Sequence, residues 1–370
     1  MIYSRKFKLK LFFLKISLQK LLLFLEYHVI LLFNQIDSFL LKKDCPLTHE
    51  IIFIEKSYQG SFRASNKNDH YWLSREALTD LRDIKSGIFL IDSIVGRFKR
   101  YQNALRFLRK MDRQKQSPIV VVYFSIQLLE YFNPFILKNL KKGGSKSLCI
   151  LTDGAWSRNK LITRTYSTCF DFISCWDDPF FPEIGKSRVI QTTFSPFPKS
   201  IEHSPSFVRL VDVSFIGKID NRPDREQVVD YIRQAPFKSE IHTEREGFLS
   251  IKNYYRIAQN SKIIINNSQS SKNNETINQL KGRVFEAMLS GNLLLENKNN
   301  LTSSIFIPGV HYVEYENITD LLTLLNYYIK NFDQVGYKIA LNGHLRACQL
   351  FSGSEYWRIV LKEIEDAEKI

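Results

Sequence analysis

Three groups of residues have the types and spacing to do chemistry. The first is in Leu280 to Glu296, LKGRVFEAMLSGNLLLE, where Glu286 is an acid among Val284, Phe285, Ala287, Met288 and Leu289. Burying a carboxylate unpaired is expensive, so Glu286 must reach solvent, a partner or a ligand. Arg283, one helical turn earlier and next to Gly282, either forms a salt bridge with it along the helix or supplies a fixed cation beside it. A carboxylate so placed can accept from two vicinal hydroxyls, as acids do when they hold a ribose. The second group is Gly217, Lys218, Arg222 and Arg225. It reads either as a phosphate-neutralising turn before a helix amino terminus or as a solvated basic turn, and it matches neither a GxGxxG nor a P-loop pattern. The third comprises Asp153, Asp92 and His70, candidate general bases for deprotonating a hydroxyl. Asp153 could equally cap the loop after its strand.

These side chains need elements to hold them. Short apolar runs at Glu50 to Ile54, Gly87 to Ile91, Ile119 to Phe124, Ser147 to Leu151, Phe170 to Ser174 and Val189 to Thr193 alternate with helical stretches at 71–84 and 95–113. Prolines 196, 198 and 205 mark a linker, after which the pattern restarts with strands at Leu210 to Ile216, Ser239 to His242, Lys262 to Ile265, Leu293 to Leu295 and Tyr312 to Tyr315. Helices are expected at Asp224 to Ile232, Tyr254 to Asn260, up to a stop at Ser290-Gly291, at Thr319 to Asn331, at Gln334 to Phe351 and at Glu355 to Asp366. Ser268 to Asn278 reads as a mobile polar loop. Uninterrupted β-branched strands alternating with helices give an α/β fold with parallel sheets covered on both faces. The expected architecture is two Rossmann-like βα domains facing a cleft, with an N-terminal helical extension. The divisions are 1–45 (basic amphipathic helix), 46–198, 206–352 and 353–370 (C-terminal helix). Ligands of such sheets bind beyond the carboxyl ends of the strands.

The chain has 370 residues and a net charge of +14, which favours anionic partners: nucleic acid, acidic membrane surfaces or phosphorylated small molecules. Nucleic acid is set aside because the basic residues are spread along helices without aromatic stacking motifs on a sheet. The five cysteines are scattered and show no ligand spacing, so no metal site and reduced thiols are expected. From Arg5 to Lys43 the sequence is rich in Leu, Phe and Lys without Pro or Gly. Its longest uncharged run is too short to cross a bilayer, and no small-residue cleavage site follows. Residues 1–43 are therefore either an amphipathic helix on an anionic membrane or a helix packed on the first domain.

The run from Val211 to Phe351 resembles the C-terminal domain of group 1 glycosyltransferases, closest to the subgroup with a spore maturation protein CgeB-like domain. The matching pieces are DVSFIGK, YYRIAQNSKIIINNS, GRVFEAMLSGNLLLE and HYVEYENITDLLTLL, in that order. The first half is similar only in its βα layout. The resemblance implies a GT-B fold, with a nucleotide-diphosphate sugar bound mainly by the second domain as co-substrate and no cofactor or metal. In that alignment Glu286 corresponds to the glutamate that holds the ribose, with Arg283, Gly217 and Lys218 near the diphosphate. Many relatives carry a second glutamate where this sequence has Asn278, near the transferred sugar. A cytoplasmic glycosyltransferase is expected, peripheral on the inner membrane face if residues 1–43 bind lipid, with a glycan, lipid-linked or protein acceptor. The alternatives are a GT-B-shaped binding protein without turnover and a nucleotide-sugar epimerase.

Overall fold

The computed structural model describes residues 14–28, 51–57, 86–92, part of 104–111, 117–124, 129, 132–151, 157–175, 187–190, 202–205, 208–220, 222–247, 249–272, 275–351 and 353–368. The expected helix 71–84, most of the expected helix 95–113, His70, Asp153 and the first part of the linker lie outside these residues.

The apolar runs of the first half form a six-stranded sheet in the order β2-β1-β3-β4-β5-β6. Its strands are β1 Ile51–Ser57, β2 Ser86–Asp92, β3 Ile119–Phe124, β4 Lys146–Leu151, β5 Phe172–Cys175 and β6 Arg188–Ile190. Every pairing is parallel. Alternation along the strands divides their side chains between two faces. Val120, Val122, Cys149, Leu151, Ile173 and Cys175 join one buried cluster, with Phe107, Phe135, Tyr166 and residues of a helix over 14–28, here α1. Val121, Leu148, Ile150 and Phe172 join the other. Both faces are apolar, so the strands read as continuous hydrophobic runs. Cys149, Cys169, Cys175 and Cys348 carry thiols rather than disulfides.

The second half forms a five-stranded sheet in the order β13-β12-β9-β7-β8. Its strands are β7 Val211–Ile216, β8 Ser239–His242, β9 Ser261–Asn266, β12 Leu293–Asn297 and β13 Val313–Tyr315, again all parallel. Val213, Phe215, Ile263, Ile265, Leu293 and Leu295 pack in a cluster with α3 (Pro223–Gln234) and α6 (Ile318–Lys330). On the opposite face Ile264 and Leu294 meet α4 (Ile251–Asn260) and α5 (Gly282–Leu289). In the first half α2 spans Ser157–Tyr166.

Two expectations change. Ser268 to Asn278 is an antiparallel hairpin, β10 Gln269–Lys272 with β11 Glu275–Asn278, rather than a mobile loop. The two strands, QSSK and ETIN, contain one apolar residue, Ile277, so their sequence carries no hydrophobic period. The single helix expected from Gln334 to Phe351 begins with a π-turn at Phe332–Gly336 before α7, Tyr337–Phe351.

The last helix, α8 (Gly353–Glu368), returns from the second unit to the first. Tyr356, Trp357, Val360 and Ile364 belong to the cluster that contains both the first sheet and α5, and Tyr356 Oη lies 3.0 Å from Ser174 Oγ on β5. The linker is fixed to the second unit by Arg209, which is buried. Its Nη1 donates to the carbonyls of Gln259 and Ser261 at 3.0 and 2.8 Å, and its Nη2 donates to Ser290. Trp357 is fully buried, so Trp357→Ala should lower unfolding free energy by about 3–5 kcal/mol. A loss under about 1 kcal/mol in urea melts would show that this helix does not hold the units together.

Candidate functional site

In the second sheet β8 lies on one side of β7 and β9, β12 and β13 follow on the other, so the strand order reverses between β7 and β9. A crevice forms at the carboxyl ends where order reverses. Gly217 follows β7 there, and Asn266, Asn267 and Ser268 lie at the end of β9.

Helix α5 stands beside this edge. It has eight residues, of which Val284, Phe285, Ala287, Met288 and Leu289 are buried. It ends as expected at Ser290-Gly291: the Gly291 N–H donates to Met288 and the Asn292 N–H to Ala287, both at 2.9 Å. This is a Schellman closure, and it needs the left-handed residue that Gly291 supplies at φ 73°. A Cβ at Gly291 would also lie 2.5 Å from the His203 carbonyl, so the linker depends on this glycine as well.

Glu286 is half-buried on α5 and accepts a hydrogen bond on Oε2 from the Tyr254 hydroxyl of α4. Burial first, and the Glu286 charge second, push the Tyr254 phenol well above its ordinary value, so it stays a donor. A Cβ on Gly282 would lie 3.5 Å from Glu286 Oε1, so a side chain there would cover the carboxylate. The Arg283 guanidinium extends toward β7, its Nη1 3.1 Å from where a Cβ on Gly217 would be. The absence of a side chain at Gly217 thus makes room for Arg283. Gly217, Gly282, Arg283 and Glu286 are brought together.

Behind Arg283 is a buried polar chain that sequence reasoning missed. Arg283 Nη1 is 3.4 Å from Asn266 Oδ1, and Asn266 Nδ2 donates to Glu296 Oε2 at 2.6 Å. Glu296 is fully buried, and desolvation outweighs its hydrogen bonds and the Arg283 charge, raising its carboxyl to about 8. The available signal was its position, the first acid after Leu293 to Leu295 and in register with Asn266. Tyr254 was legible only as part of an aromatic pair on an amphipathic helix.

The basic group after β7 divides. Arg225 is buried, with Nη1 donating to the Lys218 carbonyl at 3.2 Å and Nη2 to the Asn267 carbonyl, so it ties the two crevice loops together. Burial, then the charges of Arg222 and Arg283, lower its guanidinium below the ordinary value, though it stays charged at neutral pH. Lys218 is exposed and Arg222 half-buried. The backbone N–H groups of Ile219 and Asp220 donate to the Glu244 carboxylate at distances down to 2.7 Å, so they do not form an open anion cradle. Burial works to raise Glu244, but those bonds prevail and hold it below the usual carboxylate range. Helix α3 carries Asp224 and Glu226 in its first turn, whereas α5 has no acid in its first turn and no side-chain cap. Of the two amino termini, that of α5 is the better matched to an anion.

Among the other candidates, Asp92 ends β2 at the sheet edge, opposite Ser57, and Asn278 ends β11, opposite Gln269. The strand preceding Asp153, β4, is an inner strand.

Two parallel Rossmann-like sheets with a crevice at the order reversal define the GT-B fold of glycosyltransferases. Residues 211–354 match the model of a family described as glycosyl transferase-like. No curated protein matches the chain. Among solved structures, HepE of Anabaena in complex with UDP and glucose is similar at a TM-score of 0.56 and 11% identity, covering 87% of this chain and 100% of that one. HepE in complex with UDP-glucose gives 0.55 at 10% identity over the same shares. A glycosyltransferase from Rickettsia africae gives 0.51 at 10% identity, over 87% and 99%.

Raising the Glu296 carboxyl has a sign that can be checked. Above its unfolded value of 4.5 the unfolded chain releases a proton that the folded chain keeps until about 8. Folding stability should therefore fall as pH rises through this window. Glu296→Gln should flatten that part of the thermal-melt profile between pH 5 and 8, and an unchanged slope would contradict the assignment.

Proposed function

We propose that the chain is a glycosyltransferase that binds a nucleotide-diphosphate sugar at the β7/β9 crevice and transfers the sugar to an acceptor held by the first unit. The observation that carries this is the pairing of Glu286 with Tyr254 beside Arg283 and Gly217, at the crevice of the glycosyl transferase-like domain. The UDP and UDP-glucose bound by HepE make a uridine nucleotide the first donor to test. The CgeB-like affiliation implied by the segments around Glu286 is part of the same proposal.

In this reading Tyr254 fixes the Glu286 carboxylate so that it receives the ribose hydroxyls. The diphosphate lies against the α5 amino terminus, with Arg283 as its fixed cation and Lys218 and Arg222 at the rim. Transfer forms a bond from an acceptor oxygen to the sugar anomeric carbon as the bond to the diphosphate breaks. The leaving diphosphate gains negative charge, which Arg283 and the helix amino terminus stabilise, so the reaction as proposed uses no metal. Where transfer inverts the anomeric centre, the acceptor proton goes to a base from the first unit, Asp153 first, then His70 and Asp92; Asp153 follows an inner strand. Asn278 is assigned to the transferred sugar. The acceptor is a glycan, a lipid-linked sugar or a protein, and the reaction takes place in the cytoplasm, where thiols stay reduced.

UDP should raise the melting temperature of the wild-type chain, since a ligand at about a hundred times its Kd adds about 2.7 kcal/mol. Glu286→Ala should weaken UDP binding about a hundredfold, through two charge-assisted hydrogen bonds of about 1.5 kcal/mol each. If calorimetry detects no nucleoside diphosphate on the wild type, the donor site is wrong. If Glu286→Ala binds as tightly as wild type, the ribose assignment is wrong. Tyr254→Phe should raise the Kd for UDP by about tenfold while keeping the circular dichroism spectrum of the wild type.

A further inference from the structure

Helix α1 has two opposed apolar faces, and only one is covered by the described residues. Ile16, Leu23 and Tyr27 lie in the first unit's core, at 2%, 1% and 8% exposure. The buried Asn133 side chain donates to the Leu23 carbonyl at 2.8 Å, and the rings of Tyr27 and Phe135 pack at 6.4 Å. On the far side Leu14, Leu18, Leu21 and Leu25 are 65%, 56%, 53% and 53% exposed. Their spacing of four, three and four residues puts them on one stripe, widened by Leu22 and Phe24. Anchoring of the inner face holds this stripe outward. Continuous exposed apolar surface of this kind marks an interaction site.

We propose that this stripe docks on the surface of an anionic lipid bilayer. Lys15, Lys20 and Glu26 interrupt the apolar sequence of this helix, so it lies on the membrane rather than across it. No helix among the described residues is long and apolar enough to cross. Charge selects the partner. Arg5, Lys6, Lys8, Lys10, Lys15 and Lys20 surround or precede the stripe, Glu26 is the only acid in the first thirty residues, and the chain carries +14. A second copy meeting at the same face would bring these cations together, whereas acidic headgroups would neutralise them while leucine side chains enter the acyl boundary. The packed-helix and membrane readings of residues 1–43 are then two faces of one helix.

The test is flotation of the full chain with vesicles of phosphatidylcholine alone and of phosphatidylcholine mixed with phosphatidylglycerol. The wild type should bind the mixed vesicles at least tenfold better, less so at high salt. Leu18→Asp with Leu25→Asp should reduce binding by about a hundredfold, through loss of two buried leucines. Because both positions are exposed, the melting temperature and UDP binding should not change. That separates this surface from the donor site. The proposal is overturned if the wild type does not bind mixed vesicles, if the double variant binds equally, or if sedimentation shows a wild-type dimer that the double variant abolishes.

Discussion

The constraint on which the second unit depends is a carboxylate on a helix five of whose eight residues are buried. A charge in that position must be kept at the surface, hydrogen-bonded and electrostatically compensated. Tyr254 gives the hydrogen bond, glycine at 282 leaves the carboxylate uncovered, and Arg283 turns across the crevice to a strand end cleared by glycine at 217. The same helix is closed by Gly291, whose missing side chain admits the linker carbonyl of His203. Exposing one acid on an apolar helix therefore fixes three glycines.

The polar residues beneath the site serve the helix as much as any ligand. Arg283, Asn266 and Glu296 form a chain running inward from the crevice, and Tyr315 donates to the Asn266 carbonyl at 2.9 Å from the neighbouring edge. Buried polar networks of this kind specify one arrangement because each member loses a partner if another moves. Arg225 and Glu244 do the same for the loop after β7, one holding carbonyls and the other N–H groups. What in sequence resembles a basic phosphate turn is in large part a loop that the protein satisfies internally.

Much of the fold was legible because strands buried on both faces are written as unbroken apolar runs: Ile119 to Phe124 falls where it was expected, and Leu293 to Leu295 lies within β12. The helix stop at Gly291 was legible too, since glycine and the following apolar run mark it. The hairpin at 269–278 was not, because QSSK and ETIN hold a single apolar residue and so no hydrophobic period to read. Within the candidate site, Glu286, Arg283 and the two glycines were visible as residue types out of place in their surroundings. Tyr254 and Glu296 were not, because their significance depends on neighbours 32 and 30 residues away. The inner face of α1 was likewise hidden, since leucines face both the protein and the outside.

The return of α8 to the first sheet has a mechanical meaning. The main chain crosses between the units twice, once through the linker and once at the start of α8. One crossing would leave the second unit freer to swivel than two separated crossings do. Arg209 fastens the first crossing to the second unit, and Tyr356 and Trp357 fasten the second crossing to the first. The second unit is thereby fastened at two points rather than one, which restricts its rotation relative to the first.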